Sequence, residues 1–331
     1  MALASGLEKS VRKQDEQSSS TLNPQTERKI YQGSIQPKGF PSIPPNWVSE
    51  WETFPSSDGK LQLFSSLHRR EPWSGPRLLV ILHGMGEHGG RYLHFPHYLQ
   101  NTVDAVCCLD HRGHGRSEGL RGHVDSFDLL ADDAALAISR IDHMLKKRFG
   151  RSEIHLLGHS MGGLVALRAL IKHHLPLASA AVSAPLLGIK VHTPVVKKYA
   201  GILLSRLWGS LHMSTELDAN VLSHDPDVVE AYTSDRLVHN KITPKFFTEL
   251  TGAMRDTLKR PSELMTPLQL ILPLSDQVVD SEVSLEFFQR LNLKDQQLKT
   301  YPSFFHESFN EIGKEQVFED FSAWIKNHSK A

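Results

Sequence analysis

The sequence predicts an α/β protein: a mostly parallel sheet with helices on both faces. Three observations predict it. A strand runs into a tight glycine-flanked turn and then a helix over residues 154–170. Apolar runs of strand length alternate with helical patterns along most of the chain. Several of those runs are continuously apolar, as strands covered on both faces must be.

The first observation organises the rest. Ile154, Leu156 and Leu157 lead into Gly158-His159-Ser160-Met161-Gly162, and the apolar stretch from Leu164 to Leu170 reads as a helix. A G-x-S-x-G turn between strand and helix holds its serine in a strained conformation and lifts the hydroxyl out of the sheet. The positions two before and two after the serine must then lack bulk, which glycine supplies. The Met161 N–H lies at a helix N-terminus, where it can face an anion. An ordinary strand–helix connection with a capping serine is the plain alternative. The rest of the chain must therefore supply a base, an orienting acid and a second anion donor.

The elements follow in order. Residues 48–54 and 60–68 read as strands joined by the hairpin signal Ser57-Asp58-Gly59. Residues 77–83 form a continuous apolar run that ends in His83-Gly84-Met85-Gly86-Glu87-His88. A helix is expected over 91–100 and a buried strand over 105–109. Ser126 is placed to cap a long helix whose inner face carries Leu130, Ala134, Ala137, Ile141 and Leu145, with Gly150 as its stop. After the elbow come a strand over 178–183, a helix opening at Pro244, a strand over 268–273, a helix over 281–291, a strand over 297–301 and a helix over 311–327. Between 186 and 240 the alternation breaks into helical patches without a clear strand, which marks an insertion.

Composition bounds the answer. The chain has 331 residues, enough for one large domain or two small ones. Lys+Arg and Asp+Glu are 37 each, so nothing draws it to nucleic acid or anionic membrane by charge. Cys107 and Cys108 are neighbours in a strand and point to opposite faces, so they read as free thiols in a reducing, cytoplasmic setting. No apolar run reaches the roughly 18 residues of a membrane span. Residues 1–45 are rich in Ser, Gln, Lys and Pro without periodicity, and read as a disordered polar segment. The expected division is that segment, a first core part over 46–185, a helical cap over 186–240 and a second core part over 241–331.

Downstream of Ser160 the missing partners occur in order. Asp276 follows one strand and His306 the next, so all three project at the carboxyl ends of parallel strands, where ligands gather. Asp280 competes with Asp276 but sits farther from the strand end, and it is placed to cap the helix at 281. Glu307 is adjacent to His306 and poorly set to grip its ring. The spacings His94/His97 and His111/His114 invite a metal reading, but no Cys cluster accompanies them. No metal and no cofactor are expected.

With these motifs in place the chain resembles the monoacylglycerol lipase and lysophospholipase branch of the α/β-hydrolase superfamily. The resemblance rests on His83 to His88 with Arg91-Tyr92, on Asp110 to Gly119, on Gly158 to Gly163, on Asp276 to Val279, and on His306-Glu307. Leu222-Ser223-His224-Asp225-Pro226, running on to Tyr232, extends it into the insertion. It implies an α/β-hydrolase fold with an eight-stranded sheet and a helical cap. It also implies Met85 and Met161 as the two backbone donors of an oxyanion hole. The strand before the acid departs from the family's His-Gly-x-x-Asp ending and reads Leu272-Pro273-Leu274-Ser275-Asp276.

The function this implies is hydrolysis of a lipid ester through an acyl-enzyme on Ser160, foremost monoacylglycerol to fatty acid and glycerol. Lysophospholipase and general carboxylesterase share the same triad. A peptidase of this fold would need carboxylates for a substrate amine, and a catalytically silent receptor or scaffold is the non-enzyme reading. A cap helix drawn over 195–207, with Val195, Tyr199, Ile202 and Leu203 on one side, either packs on its own domain or dips into lipid as a lid, giving peripheral membrane contact.

Overall fold

The computed structural model describes residues 34–190, 213–215 and 217–329. Its centre is one eight-stranded sheet. The strands are β1 (Trp47–Pro55), β2 (Gln62–Arg70), β3 (Arg77–Leu82), β4 (Ala105–Leu109), β5 (Glu153–His159), β6 (Ser179–Ser183), β9 (Leu268–Pro273) and β10 (Gln296–Tyr301). They lie in the order β1-β2-β4-β3-β5-β6-β9-β10. From β4 to β10 every neighbouring pair is parallel. Only β2 runs against its neighbours β1 and β4.

The continuous apolar runs explain the layering. Leu78, Val80 and Leu82 face one core layer, while Leu79 and Ile81 between them face the other. Cys107 and Cys108 divide in the same way and both are free. On one face pack α2 (Asp128–Phe149) and α3 (Met161–Lys172); on the other, α1 (Phe95–Leu99) and α7 (Lys314–Asn327). The five inner positions read on α2, Leu130 to Leu145, are all buried. Each fully buried Leu or Phe contributes about 1.5–3 kcal/mol. Gly150 ends α2 in the left-handed region at φ 72°, its N–H donating to Lys146 O at 2.9 Å.

Three expectations about the helices are corrected. The helix over 91–100 is a 3-10 turn at Gly89–Tyr92 followed by the short α1, because Pro96 can enter a helix only in its first turn. Ser126 does not cap α2; Phe127 holds that place, with no side-chain bond. The last helix opens at Lys314, after Gly313 at φ 87°, and not at residue 311.

After β6 the chain enters the insertion. The cap helix drawn over 195–207 lies outside the described residues. Beyond it come β7 (Met213–Ser214), α4 (Pro226–Ser234), β8 (Lys241–Ile242) and α5 (Pro244–Thr257). β7 and β8 pair over two residues each, too short to leave a period-2 signal in the sequence. α6 (Ser281–Gln289) follows β9. The polar N-terminal segment, read as unstructured to residue 45, is fastened earlier. Ile35 N–H donates to Asp235 Oδ2 at 3.0 Å and Ser34 Oγ to Gly90 O at 2.8 Å. Phe40 packs edge-on against His94 at 5.0 Å. Among the described residues, no helix is long and apolar enough to cross a membrane.

Candidate active site

Because β3, β5, β9 and β10 are parallel, the residues that follow them emerge on one rim of the sheet. These are His83-Gly84-Met85, Ser160, Asp276 and His306.

Ser160 stands between β5 and α3 with φ 53° and ψ −118°, a strained backbone for a residue with a Cβ. Neighbouring backbone over-determines it. Its N–H donates to Ser183 O at 2.9 Å, and its carbonyl accepts from Gly163, Leu164 and Leu186 N–H. The flanking glycines are required by contact. A Cβ on Gly158 would lie 2.3 Å from Gly162 O, and one on Gly162 would lie 2.1 Å from Leu82 O. Both obstacles are main chain. Gly162→Ala is therefore expected to destabilise the protein by about 3 kcal/mol, read as a lower urea midpoint, with activity lost in step. The Ser160 side chain makes no capping bond, which leaves its hydroxyl for chemistry.

The loop after β3 backs onto this serine: a Cβ on Gly84 would be 3.3 Å from the Ser160 Cβ. His111 N–H donates to His83 Nε2 at 3.0 Å, so the His83 ring proton sits on Nδ1, which donates to Gly84 O at 2.7 Å. Burial, with His111 and His114 alongside, pushes the His83 imidazolium well below its usual range and keeps the ring neutral. Gly84 N–H donates to Glu87 Oε1 at 2.5 Å. The loop is thereby fixed with Gly84, the residue before Met85, against Ser160. Met161 opens α3, where main-chain N–H groups have no helical acceptor.

Asp276 is fully buried beyond β9. Its Oδ1 accepts from Val278 and Val279 N–H at 2.7 and 3.0 Å, and its Oδ2 meets His306 Nδ1 at 2.7 Å. The two candidate acids separate by place: Asp280 caps α6, accepting from Glu282 N–H at 3.0 Å. Burial alone would pull the His306 imidazolium down, but the Asp276 carboxylate outweighs it, helped by Glu307 and Glu87, and the net shift is upward from 6.5. Burial works against the Asp276 carboxylate too, and His306 with the two main-chain donors holds its pKa below the usual value. The His306 ring packs 4.8 Å from the ring of His159, the residue before Ser160. Burial, and then His306 itself, pushes His159 down to about 4, so it is a neutral neighbour.

Glu307 turns away from His306. Its two oxygens take both terminal nitrogens of Arg91, at 2.7 and 2.8 Å, and Asn310 Nδ2 donates to it at 2.7 Å. Arg91 also meets Glu87 Oε2 at 2.5 Å. The Tyr232 ring of α4 lies 4.8 Å from the guanidinium. One buried cation thus joins the loop after β3 to the loop that carries His306. The Glu87/Arg91 spacing of four was a readable local signal; the link to Glu307, across 216 residues, was not.

The histidine pairs have other occupations. His111 and His114 pack around His83, with ring centroids 4.4 and 5.5 Å away. His94 Nε2 meets Phe309 O at 3.2 Å.

The family profile described as serine aminopeptidase, S33 (Hydrolase_4), matches residues 76–313. The chain belongs to this family. This α/β-hydrolase is a serine ester hydrolase similar to monoacylglycerol lipases. It is 32% identical over 264 residues to the monoacylglycerol lipase of Mycolicibacterium smegmatis, covering 78% of this chain and 91% of the relative. Among solved structures, the monoacylglycerol lipase of Paleococcus ferrophilus superposes with TM-score 0.69 at 28% identity, over 81% of this chain and 99% of that one. An uncharacterized abhydrolase domain-containing protein of Dictyostelium discoideum is 32% identical over 253 residues, which is 75% of this hydrolase but 26% of that longer protein.

Proposed function

We propose that the protein hydrolyses carboxylic esters of lipids, with monoacylglycerol as its substrate. The observation that carries this reading is the 2.7 Å bond from His306 Nδ1 to Asp276, set at the rim where Ser160 stands. With Nδ1 bonded, Nε2 is the free face of the ring and serves as the base. Ser160 Oγ attacks the ester carbonyl while His306 takes its proton. The Met85 and Met161 N–H groups hold the oxyanion, a donation worth about 2.7–4 kcal/mol for each group. The alcohol leaves with the proton from His306. Water, deprotonated by the same ring, then releases the fatty acid from the acyl-enzyme.

The charge beside the serine supports a neutral alcohol. Arg91 is held between two carboxylates, Glu87 and Glu307, and so offers no unpaired cation to a phosphate. Residues 186–240 form the cap in this reading and select the acyl chain; peripheral contact with a membrane runs through them, in a cytoplasmic protein.

The test is labelling with a fluorophosphonate, followed by a panel of monoacylglycerols, lysophospholipids and aminoacyl amides. Labelling at Ser160 is expected, with kcat/KM for monoacylglycerol at least about tenfold above that for lysophosphatidylcholine. A reversed ranking would make the protein a lysophospholipase, and cleavage of the amides a peptidase. An unlabelled protein would be a silent hydrolase fold.

A further inference from the structure

Glu311 is 1% exposed and takes no part in the chemistry above. Its Oε1 accepts from Phe305 N–H at 3.1 Å, from His224 N–H at 3.0 Å and from His224 Nδ1 at 2.7 Å. Its Oε2 accepts from Ile312 N–H at 2.8 Å and, at longer range, from Ser223 Oγ at 3.5 Å. A carboxylate taken out of water costs several kcal/mol unless donors replace the lost hydration. Apart from Ile312, its neighbour in the chain, the replacing donors come from two separate places: the insertion, and the residue immediately before His306.

The other side of His306 is held in the same way. Glu307 N–H donates to Leu222 O at 2.9 Å. The His224 ring stacks on Phe305 with centroids 3.6 Å apart, and Ser223 Oγ donates to Asn310 O at 3.0 Å. The main-chain N–H groups on both sides of His306 are therefore bonded either to the insertion or to the carboxylate that grips it.

We infer that Glu311 is a positioning residue for His306, and that the segment Leu222-Ser223-His224 is a fixed brace on the base and not a moving part of a lid. Glu311 sets the main chain at Phe305, and with it the direction in which His306 presents Nε2. His224 relays the same constraint from the insertion, through its ring and its Nδ1–H. This role rests on the proposed assignment of Ser160 and His306.

The experiment counts active sites before measuring their rate. Wild type, Glu311→Ala, Glu311→Gln and His224→Ala are titrated with a fluorophosphonate, and kcat and KM for a short-chain ester are then expressed per titrated site across pH. A misdirected catalytic group costs on the order of 10–100-fold. Glu311→Ala is expected to lose that much in kcat per site with KM nearly unchanged. Its acid limb should move to lower pH as the Asp276–His306 bond loosens. Glu311→Gln keeps an oxygen for the Phe305 and His224 donors but sets an amide against Ile312 N–H, and should lose less. His224→Ala should lose about tenfold or less. A purely structural role would lower the number of titratable sites and leave the rate per site and the acid limb at wild-type values. That result in Glu311→Ala overturns the inference; if Glu311→Ala does not fold, the same result in both Glu311→Gln and His224→Ala overturns it. A wild-type protein that does not label would bring down the Ser160 assignment itself, and the inference with it.

Discussion

Ser160→Ala is expected to lose turnover by roughly 10⁶ in kcat, since removing the nucleophile of such a triad costs about as much as removing all of it. The variant should also refuse a fluorophosphonate. In the labelling step Oγ forms a bond to phosphorus, fluoride leaves and His306 receives the proton; without Oγ no bond can form. Stability should barely change. The strain at φ 53° falls on any residue with a Cβ, alanine as much as serine. The bonds that hold the turn, to Ser183, Gly163, Leu164 and Leu186, are all made by main chain at position 160. The hydroxyl makes no capping bond that alanine would forfeit. Urea unfolding should therefore give a midpoint shift equivalent to less than about 1 kcal/mol. The two measurements belong together, because only a folded and inactive variant assigns the chemistry to Oγ. Activity retained above about a thousandth of wild type would mean that another group attacks the ester.

Much of this site could be read in the sequence because its parts are local. A strand followed by Gly158-His159-Ser160-Met161-Gly162 can form one kind of turn, and the main-chain contacts of Gly158 and Gly162 give the reason. β4 and β9 occupy the expected residues, 105–109 and 268–273; β4 is a continuous apolar run bounded by Asp104 and Asp110, and β9 is apolar but for Gln269, between Pro267 and the turn at Leu274-Ser275. Asp276 could be preferred to Asp280 from its distance to the strand end alone. The departure at Leu272-Pro273-Leu274-Ser275 did not spoil the turn: Val278 and Val279 N–H groups still seat one carboxylate oxygen, leaving the other for His306. What stayed illegible is long-range. Glu311 reads locally as the start of a helix, since acidic residues favour first turns. Its bonds to Ser223 and His224 cross 87 or 88 residues and leave no periodicity behind. Tyr232 over Arg91 is illegible for the same reason. Ser126 is not the cap because the helix opens one residue later, at Phe127, whose side chain makes no capping bond, while Asp128 in the first turn accepts from Arg168.

Asp276→Asn should lower kcat by about 10⁴ and move the acid limb of kcat/KM to lower pH, and both effects follow from where the two carboxylate oxygens lie. Oδ1 accepts from two main-chain N–H groups, so in the variant the amide oxygen must take that place. The amide nitrogen then faces His306 Nδ1, where it can only donate. The ring must turn Nδ1 into an acceptor and carry its proton on Nε2, which is the wrong nitrogen for a base toward Ser160. The pH effect has a definite sign. The base works when neutral, so activity falls as pH drops through the His306 pKa. In the wild type burial lowers that pKa and Asp276 more than offsets it, so the acid limb is expected above that of an ordinary histidine. Removing the Asp276 charge leaves burial in place, opposed only by Glu307 and Glu87 farther off, so the limb must move down. A loss of kcat without movement of the limb would make Asp276 a merely structural anchor of its loop. A limb that moves up would show that the Asp276 carboxylate does not stabilise the His306 imidazolium, and would overturn this assignment.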